Sequence, residues 1–318
     1  MHKDGAGALK AAVIGAGAFG RYHAAKYAAS TEVELVAVAD ISADVRRHFQ
    51  VVQGIRAIAD WRDLLGEVDL VSVCSPAATH AEIVRAFLNA DAHVLVEKPI
   101  ATDLDEADEL IALADRVGRV LTVGHQERFV FAHTGLLDFA KRPKEVDCWR
   151  LGPWSGRGAD VSVVLDLMIH DLDLVHRLLP EMVGGVSAHG RKVHGENADE
   201  VSALLHFRHG TRVRLDASRI APARSRGMRV IYDDGLIEVD FLTRKVRNTT
   251  PRPLKDLDFD DPLGRSIACF IRAASQGDSA LVQPEEARQA LETALAIEEA
   301  ADRMAEIREA HALHVAAR

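Results

Sequence analysis

Three glycines between a short apolar run and a helix-forming stretch constrain the fold of this chain most. The motif reads Gly15-Ala16-Gly17-Ala18-Phe19-Gly20. Residues 11–14 before it are apolar and residues 21–29 after it favour a helix, which is the strand, turn and helix context of a dinucleotide-binding turn. Gly15 would permit the tight turn, Gly17 the approach of backbone amides to a pyrophosphate, and Gly20 the packing of helix on strand. Alanine-glycine turns of this kind also occur as ordinary structural turns, so both interpretations stay open.

A carboxylate at the end of the next predicted strand favours the dinucleotide interpretation. Residues 34–39, ELVAVA, indicate a buried strand that ends at Asp40, twenty residues after Gly20. A carboxylate there accepts hydrogen bonds from the ribose hydroxyls of adenosine and repels a 2′-phosphate, which favours NAD over NADP. Two alternatives stay open. Asp40 could merely cap the next helix, and Arg46 and Arg47 could soften the preference for NAD instead of lying on a solvated helix face.

Composition excludes several classes of protein. The 318 residues suffice for two domains, and contents of 48% apolar and 27% charged residues are ordinary for a globular protein. A formal net charge of −9 without a lysine or arginine cluster argues against a nucleic-acid partner. No stretch is typical of a signal peptide or a membrane span, so we expect a cytoplasmic protein that does not bind membranes. Cys74, Cys148 and Cys269 lie far apart, which predicts reduced thiols and no metal site.

The first part of the chain alternates short apolar strands with helical stretches. Strands are predicted at residues 11–14, 35–39, 70–74, 93–96 and 120–123. This alternation predicts an α/β domain, a doubly wound parallel sheet covered by helices, over residues 1–126. Ligands of such sheets bind beyond the carboxyl ends of the strands. The candidate cofactor-binding residues there are Gly15, Gly17, Ala18, Phe19, Gly20, Asp40, Ser75, Pro76, Glu97, Lys98 and Gln126.

The pattern changes in residues 127–318, which we predict to form a second, α+β domain. Helices are predicted at 131–141, 163–179, 263–275 and 284–307, and strands at 146–151, 185–193, 201–207, 212–218, 229–232 and 236–241. Turns such as Arg208-His209-Gly210 join consecutive strands, which predicts a large, open, mostly antiparallel sheet. One face of such a sheet needs helices and the other needs water or a partner, so we expect a homodimer or homotetramer. The closing helix could pack back on the first domain.

Lys98 is a candidate for contact with a substrate. It follows the apolar strand of residues 93–96 and precedes Pro99, which biases it away from helical geometry. Its ammonium would project over the strand end, close to the expected nicotinamide, and would stabilise the alkoxide that develops as a hydride leaves. The alternative is an ordinary surface lysine paired with Glu97.

The helix predicted at residues 163–179 carries a possible general base. Asp166, His170 and Asp173 recur at i, i+4 and i+7, on a different stripe from the apolar residues. Histidine titrates near neutrality, and neighbouring carboxylates would raise its basicity and fix its tautomer. The stripe could instead be the solvated face of an amphipathic helix. A metal site is disfavoured, because no further histidine or cysteine follows at ligand spacing.

Arg128 follows the last predicted parallel strand and has two equally weighted interpretations. Its guanidinium could pair with a phosphate or carboxylate of a ligand. It could equally hold the two domains together through Glu127.

The glycine turn, Glu97-Lys98-Pro99 and Asp166-x-x-x-His170, in this order and at these separations, resemble the Gfo/Idh/MocA family of NAD(P)-dependent sugar and cyclitol oxidoreductases. The resemblance runs nearly end to end and includes residues 283–287 of the closing helix. It implies a Rossmann N-terminal domain, a C-terminal domain with a large open sheet, and dimers or tetramers. It also implies that Lys98 is the catalytic lysine, His170 the general base on a sugar hydroxyl, and Asp166 the partner of His170.

The same resemblance implies that Ser75, Pro76 and His80 line the cofactor. Ala77 departs from the asparagine that many members have at this position, which puts that cofactor contact in doubt. Within the family, residues 124–129 and 160–167 are similar to the members that oxidise UDP-N-acetylglucosamine at its 3-hydroxyl. The implied substrate is then a nucleotide-sugar. Its candidate ligands are Lys98, Arg128, Trp154, Arg157, Asp166 and His170.

Three other functions stay open at the level of sequence. The chain could be an inositol or free-sugar dehydrogenase, or a glycoside hydrolase of the same family that oxidises its substrate transiently with a tightly held NAD. It could also be a redox-responsive protein that binds NAD without chemistry. A pure sensor has no need for Lys98, Asp166 and His170 together, which argues against this third function.

Overall fold

The structure, a computed structural model, describes residues 8–139, 141–156, 158–254 and 261–316, apart from the side chains of residues 138 and 308–316. The described residues divide into two compact units. Unit 1 comprises those up to Phe129 together with Asp261–Arg288, and unit 2 comprises those from Val130 to 254 together with those from Gln289 onward. The domain boundary at residue 126 stays a prediction.

Unit 1 is built on a six-stranded sheet in the order β3-β2-β1-β4-β5-β6, and every pairing is parallel. The strands are β1 (Leu9–Ile14), β2 (Val33–Ala39), β3 (Ala57–Ile58), β4 (Leu70–Val73), β5 (His93–Val96) and β6 (Leu121–Val123). This is the doubly wound parallel sheet that the alternation of strands and helices predicts, and its order reverses between β1 and β4. The sequence did not predict β3, because two residues are too short for a periodic pattern.

Of the first five α-helices that the structure describes, four belong to unit 1 and the fifth runs from it into unit 2, and short polar residues cap the start of two of them. The five are α1 (Ala18–Ala28), α2 (Ala43–Gln53), α3 (His80–Asn89), α4 (Leu104–Val117) and α5 (Glu127–Thr134). Ser42 Oγ accepts the amide of Val45 at the start of α2, and Asp103 Oδ1 accepts the amide of Glu106 at the start of α4. The helix predicted at 131–141 begins earlier, at Glu127, and ends at Thr134.

The core of unit 1 also includes a helix from much later in the chain. Apolar residues of the sheet, among them Val13, Val38 and Leu95, form one buried cluster with Ile267, Phe270 and Ile271. The last three belong to the helix Pro262–Gln276, which is the seventh in the chain. A helix outside residues 1–126 therefore contributes to the core on which the parallel sheet depends.

Unit 2 contains a seven-stranded sheet in the order β13-β12-β11-β7-β10-β9-β8. The strands are β7 (Glu145–Leu151), β8 (Val183–Arg191), β9 (Glu200–Phe207), β10 (Arg212–Ser218), β11 (Ser225–Tyr232), β12 (Gly235–Asp240) and β13 (Lys245–Asn248). All pairings are antiparallel except that of β7 with β10. The predicted large, open, mostly antiparallel sheet is confirmed, and β13 is an addition to it.

The stretch predicted as one helix at residues 163–179 has two parts. Val164–Met168 forms a π-helical turn, and the regular helix α6 (Ile169–Leu178) follows it. Ser162 Oγ accepts the amides of Val164 and Leu165, at 3.1 and 3.4 Å, and so begins the π-turn. Two further helices complete the chain, α7 (Pro262–Gln276) and α8 (Pro284–Ala316). Among the described helices, none has the length and apolar character needed to cross a membrane.

Candidate active site

The glycine turn of unit 1 has the geometry that its sequence predicts. Gly15 has φ +81°, and a Cβ on it would lie 2.6 Å from the amide nitrogen of Ser75. A Cβ on Gly20 would overlap with the carbonyl oxygen of Gly15, so neither position tolerates a side chain. Beside Gly17 there is no atom within 4 Å of such a Cβ, and Gly17 has no side chain that caps α1. The open space and the uncapped amides fit a pyrophosphate at this helix end.

Asp40 ends β2 as predicted, and its loop is fixed by hydrogen bonds. Its Oδ1 accepts the amide of Ser42 at 2.8 Å, while Arg46 Nη1 donates to the carbonyl oxygens of Asp40 and Ile41 at 2.8 and 2.9 Å. Ser42 is the N-cap of α2, so the alternative in which Asp40 caps this helix is wrong. Arg46 braces the backbone of the loop, whereas Arg47 is exposed beside Asp44. A half-buried carboxylate on this braced loop fits a ribose diol.

His80 connects the loop after β4 with the loop after β5. Its ring is 1% exposed; Nδ1 lies 2.7 Å from the carbonyl oxygen of Pro99 and Nε2 lies 2.9 Å from that of Ser75. Burial lowers the pKa of the His80 imidazole, although its two backbone hydrogen bonds oppose this. The Lys98–Pro99 peptide bond is cis. His80 therefore links the two segments that carry Ser75, Pro76 and Lys98.

The carboxylate of Glu97 belongs to a buried polar network that sequence reasoning missed. Its Oε1 lies 3.1 Å from His23 Nε2 and accepts from Gln126 Nε2 at 3.3 Å. His23 Nδ1 lies 3.1 Å from Ser72 Oγ, and the hydroxyl of Tyr27 lies 2.8 Å from the same oxygen. These partners lie on α1, β4 and the segment after β6. No local pattern could have indicated the network, because its members are brought together only by the sheet.

Gly124 makes room for this network. A Cβ on Gly124 would lie 2.5 Å from Oε1 of Glu97, and any larger residue would displace the carboxylate. Arg128, four residues later, is 1% exposed, and its Nη1 donates to Glu286 Oε2 and to the carbonyl oxygen of Leu281. Both interpretations of Arg128 from sequence missed its ion pair with Glu286. The guanidinium is engaged inside unit 1, tying the segment after β6 to the start of α8.

In unit 2 the structure leaves a small accessible face on an otherwise buried segment. Between Val161 and His176 every residue is buried except Asp166, Leu167 and His170, which are half-buried. Asp166 and His170, the two residues predicted to transfer the proton, are therefore two of the three accessible residues of this segment. The alternative of a solvated face along an amphipathic helix is wrong, because such a face would expose many more residues than these.

Asp173 does not lie on that face. It is 1% exposed, as is Asp171, whose Oδ1 accepts from Arg150 Nε at 2.9 Å. The predicted stripe at i, i+4 and i+7 assumes a regular helix throughout. The π-turn before Ile169 changes the angular spacing, and Asp173 falls among the buried residues of α6.

The predicted substrate loop is described in part. Trp154 is half-buried and stacks on His194, with ring centroids 4.1 Å apart, and the guanidinium of Arg219 lies 5.2 Å from its ring. Arg157 lies outside the described residues. Gly158 has φ +68°, and a Cβ on it would overlap with Oδ2 of Asp166. The Gly158 backbone thus lies directly against the carboxylate of Asp166.

The structure gives no support for a metal centre in the part of the chain it describes, where no three His, Cys, Asp or Glu residues are grouped to hold an ion. The half-buried thiol of Cys74 is disfavoured as a nucleophile, because desolvation raises its pKa and the charge of Glu97 raises it further. In unit 2, Asp166 and His170 are half-buried titratable side chains close together in sequence, which fits proton transfer.

Comparison with known proteins agrees with both units. Residues 9–125 match the family model described as oxidoreductase family, NAD-binding Rossmann fold, and residues 133–238 match the GFO/IDH/MocA C-terminal domain. The chain is 35% identical over 238 residues to UDP-N-acetylglucosamine 3-dehydrogenase of Acidithiobacillus ferrooxidans, covering 74% of each. It is 27% identical over 237 residues to myo-inositol 2-dehydrogenase of Thermotoga maritima, covering 67% of this chain and 69% of that one.

A solved structure of this Acidithiobacillus ferrooxidans enzyme is also similar to the chain in fold. The solved structure of UDP-N-acetylglucosamine 3-dehydrogenase GnnA from Acidithiobacillus ferrooxidans matches with a TM-score of 0.85 at 32% sequence identity. The match covers 94% of this chain and 99% of that one. The fold is therefore shared along almost the whole length of both chains.

Proposed function

This chain belongs to the GFO/IDH/MocA family of NAD(P)-dependent oxidoreductases that act on CH–OH groups, and we propose that it oxidises a secondary hydroxyl of a nucleotide-sugar. The proposed substrate is UDP-N-acetylglucosamine and the proposed position is its 3-hydroxyl. The relative with 35% identity carries that activity in its name, and several relatives with less identity are named inositol dehydrogenases.

The proposed cofactor is NAD rather than NADP. Asp40 supports this choice, because a carboxylate on the braced loop after β2 accepts hydrogen bonds from ribose hydroxyls and repels a 2′-phosphate. Gly15, Gly17, Ala18, Phe19 and Gly20 would hold the pyrophosphate. When bound, NAD accepts the hydride from the carbon that is oxidised.

The proton of the substrate hydroxyl goes to His170 in the proposed reaction. Asp166 orients the imidazole and stabilises its protonated form, and the ammonium of Lys98 donates a hydrogen bond to the substrate oxygen as negative charge develops there. Loss of the proton and of the hydride from the same carbinol group leaves a ketone. The hydride goes to NAD and the proton to His170, so the step balances with the cofactor and this base.

The observation that carries this proposal is the accessible face of unit 2. Asp166 and His170 are half-buried on a segment whose other residues, save Leu167, are buried. A base that is shielded from bulk water but still reachable by a substrate is what proton abstraction from a hydroxyl requires. Trp154 and Arg157 remain candidate ligands of the nucleotide part, whereas the buried ion pair of Arg128 favours a structural role.

A reaction with purified protein, NAD and UDP-N-acetylglucosamine tests the proposal. A sugar aminotransferase and glutamate are added to remove the ketone, and NADH absorbance and product mass are followed together. We expect a nucleotide-sugar in which an amino group replaces one hydroxyl. With NAD binding confirmed, no product would reject this substrate and direct the search to inositols and free sugars. Released monosaccharide without net NADH would instead favour the hydrolytic alternative.

We also infer a homodimer or homotetramer formed through the sheet of unit 2. Along β7 and β9 buried residues alternate with half-buried ones, so one face of the sheet is only partly covered within the chain. The half-buried face carries Trp149 beside pairs of opposite charge such as Arg214 and Asp147, at 3.6 Å. Light scattering should give a multiple of 34.7 kDa at micromolar concentration, and a monomeric mass would contradict the inference.

A further inference from the structure

We propose that Arg219 and Asp199 are positioning residues, whose ion pair holds the loop of residues 158–162 against Asp166. The inference rests on the proposed function, because it takes Asp166 and His170 as the proton-transfer pair. Both partners lie in unit 2, Asp199 immediately before β9 and Arg219 immediately after β10.

The ion pair is buried and fully engaged. Arg219 Nε donates to Asp199 Oδ1 at 2.6 Å, and the side chains are 7% and 0% exposed. Asp199 Oδ2 accepts the amides of Val193 and His194 at 2.6 and 2.7 Å. Burial raises the pKa of the Asp199 carboxyl, but the hydrogen bonds from His194, Arg219 and Val193 outweigh it and hold the pKa below its ordinary value. Moving either side chain away from its partners would leave a buried charge unpaired, which is strongly destabilising, so the ion pair is held in place.

The same guanidinium fixes the loop. Arg219 Nη1 donates to the carbonyl oxygens of Gly158 and Val161, the second at 3.0 Å. Asn197 Nδ2 donates to the carbonyl oxygen of Ala159 at 3.0 Å. A planar fork can serve a carboxylate and two carbonyl groups at once, whereas a lysine ammonium is a single point on a flexible stem. The loop therefore depends on arginine at this position.

Two contacts carry the position of the loop to Asp166. The Gly158 backbone lies directly against the carboxylate, since a Cβ there would be 2.9 Å from its Cγ. At the other end of the loop, Ser162 Oγ accepts the first amides of the π-turn that contains Asp166. Displacing the loop would consequently change both the contact of the carboxylate and the start of its turn.

An exposed ion pair at the opposite end of β10 provides a matched control. Arg212, at the opposite end of β10, lies 3.0 Å from Glu145, and the two side chains are 59% and 38% exposed. This ion pair joins β10 to β7 and does not involve the loop of residues 158–162. Arg212→Lys and Arg219→Lys are thus the same chemical change at the two ends of β10, and of these two arginines it is Arg219 that contacts the loop beside Asp166.

The first measurement is hydrogen exchange on the full-length protein without substrate. In Arg219→Lys we expect peptides that cover residues 152–163 to exchange ~10-fold faster or more, because the loop loses its carbonyl hydrogen bonds. Peptides of unit 1 and the affinity for NAD should be unchanged. With NAD and UDP-N-acetylglucosamine, kcat should fall ~10-fold to ~100-fold, as expected for a misplaced proton-transfer group. Arg212→Lys should match the wild type in exchange of residues 152–163, in affinity for NAD and in kcat.

Gly158→Ala keeps the ion pair and pushes on Asp166 directly, which covers the case in which Arg219→Lys does not fold. It should lower kcat and leave the affinity for NAD intact. Wild-type exchange of residues 152–163 in Arg219→Lys would overturn the inference, as would faster exchange with unchanged kcat or an unaffected kcat in Gly158→Ala. If the wild type oxidises no sugar, the proposed function fails on its own, and exchange still decides whether the pair holds the loop.

Discussion

The cofactor end of unit 1 and the proton-transfer segment of unit 2 are fixed in different ways. Gly15 and Gly20 fix the first by close approach of backbone atoms, and all of its motif lies within six residues of sequence. The second is fixed by side chains far apart in sequence: Arg219 holds Gly158 from 61 residues away and Asp199 from 20. A site made by backbone geometry leaves a motif, whereas a site made by long-range side chains leaves scattered polar residues.

The largest effect is expected from His170→Ala in unit 2. Turnover should fall ~100-fold or more, because the hydroxyl proton loses its acceptor, while the affinity for NAD should not change. Steady-state kinetics and a fluorescence titration with NADH measure the two quantities. His206→Ala, an exposed histidine on β9, is the control. Equal turnover in His170→Ala and the control would remove His170 as the base.

The two outer glycines should behave differently from Gly17. A Cβ in Gly20→Ala meets the carbonyl oxygen of Gly15. We therefore expect the free energy of unfolding to fall by about 1–3 kcal/mol and the affinity for NAD to fall ~10-fold or more. Gly17→Ala meets no atom within 4 Å, and Gly17 has φ −63°. Gly17→Ala should leave the free energy of unfolding unchanged and lower only the affinity for NAD. Urea unfolding and titration with NAD separate the effects; equal loss of stability in both variants would contradict the open space at Gly17.

Asp40→Ser should change the choice of cofactor rather than the strength of the fold. The serine hydroxyl can still accept the amide of Ser42, but the charge that repels a 2′-phosphate is gone. The ratio of kcat/KM for NADP to that for NAD should rise ~10-fold or more. Asp44→Ser, an exposed carboxylate on α2, should leave the ratio unchanged. A similar ratio in both variants would show that Asp40 does not select the cofactor.

The smallest effect concerns stability alone and comes from His93. Burial, and secondarily the charge of Arg119, lowers the pKa of its imidazole to about 4. The unfolded chain, with a pKa of about 6.5, binds a proton first as the pH falls, so His93 lowers stability progressively from pH ~6.5 towards ~4. In His93→Asn, which can still accept the amide of Val120, the free energy of unfolding should fall less between pH 7 and pH 5 than in the wild type. Equal losses would contradict this assignment.

Sequence alone predicted much of unit 1. The five longer strands of its sheet, the glycine turn and the position of Asp40 were predicted, because each depends on a local pattern of apolar residues or on glycine. The burial of Arg128 against Glu286 and the network of His23 and Glu97 were not, since their members meet only in the folded chain.

Unit 2 was predicted in outline and less well in detail. Its hairpins were predicted from turns such as Arg208-His209-Gly210. The π-turn was not, because periodicity assumes a uniform helix, and Asp173 was for that reason placed on the wrong face. Asp199 and Arg219 carried no signal in the sequence, because each is an ordinary charged residue next to a strand end, and their contacts with each other and with the loop of residues 158–162 form only in the fold.

Transfer of a labelled hydrogen tests the proposed chemistry most directly. UDP-N-acetylglucosamine with deuterium at carbon 3 is incubated with the protein and NAD, and the reduced cofactor is analysed by mass spectrometry. Oxidation at the 3-hydroxyl predicts NADH that carries one deuterium and forms more slowly than from unlabelled substrate. Unlabelled NADH would place the oxidation at another carbon, and no NADH together with no exchange of deuterium into bound cofactor would contradict oxidation of this sugar altogether.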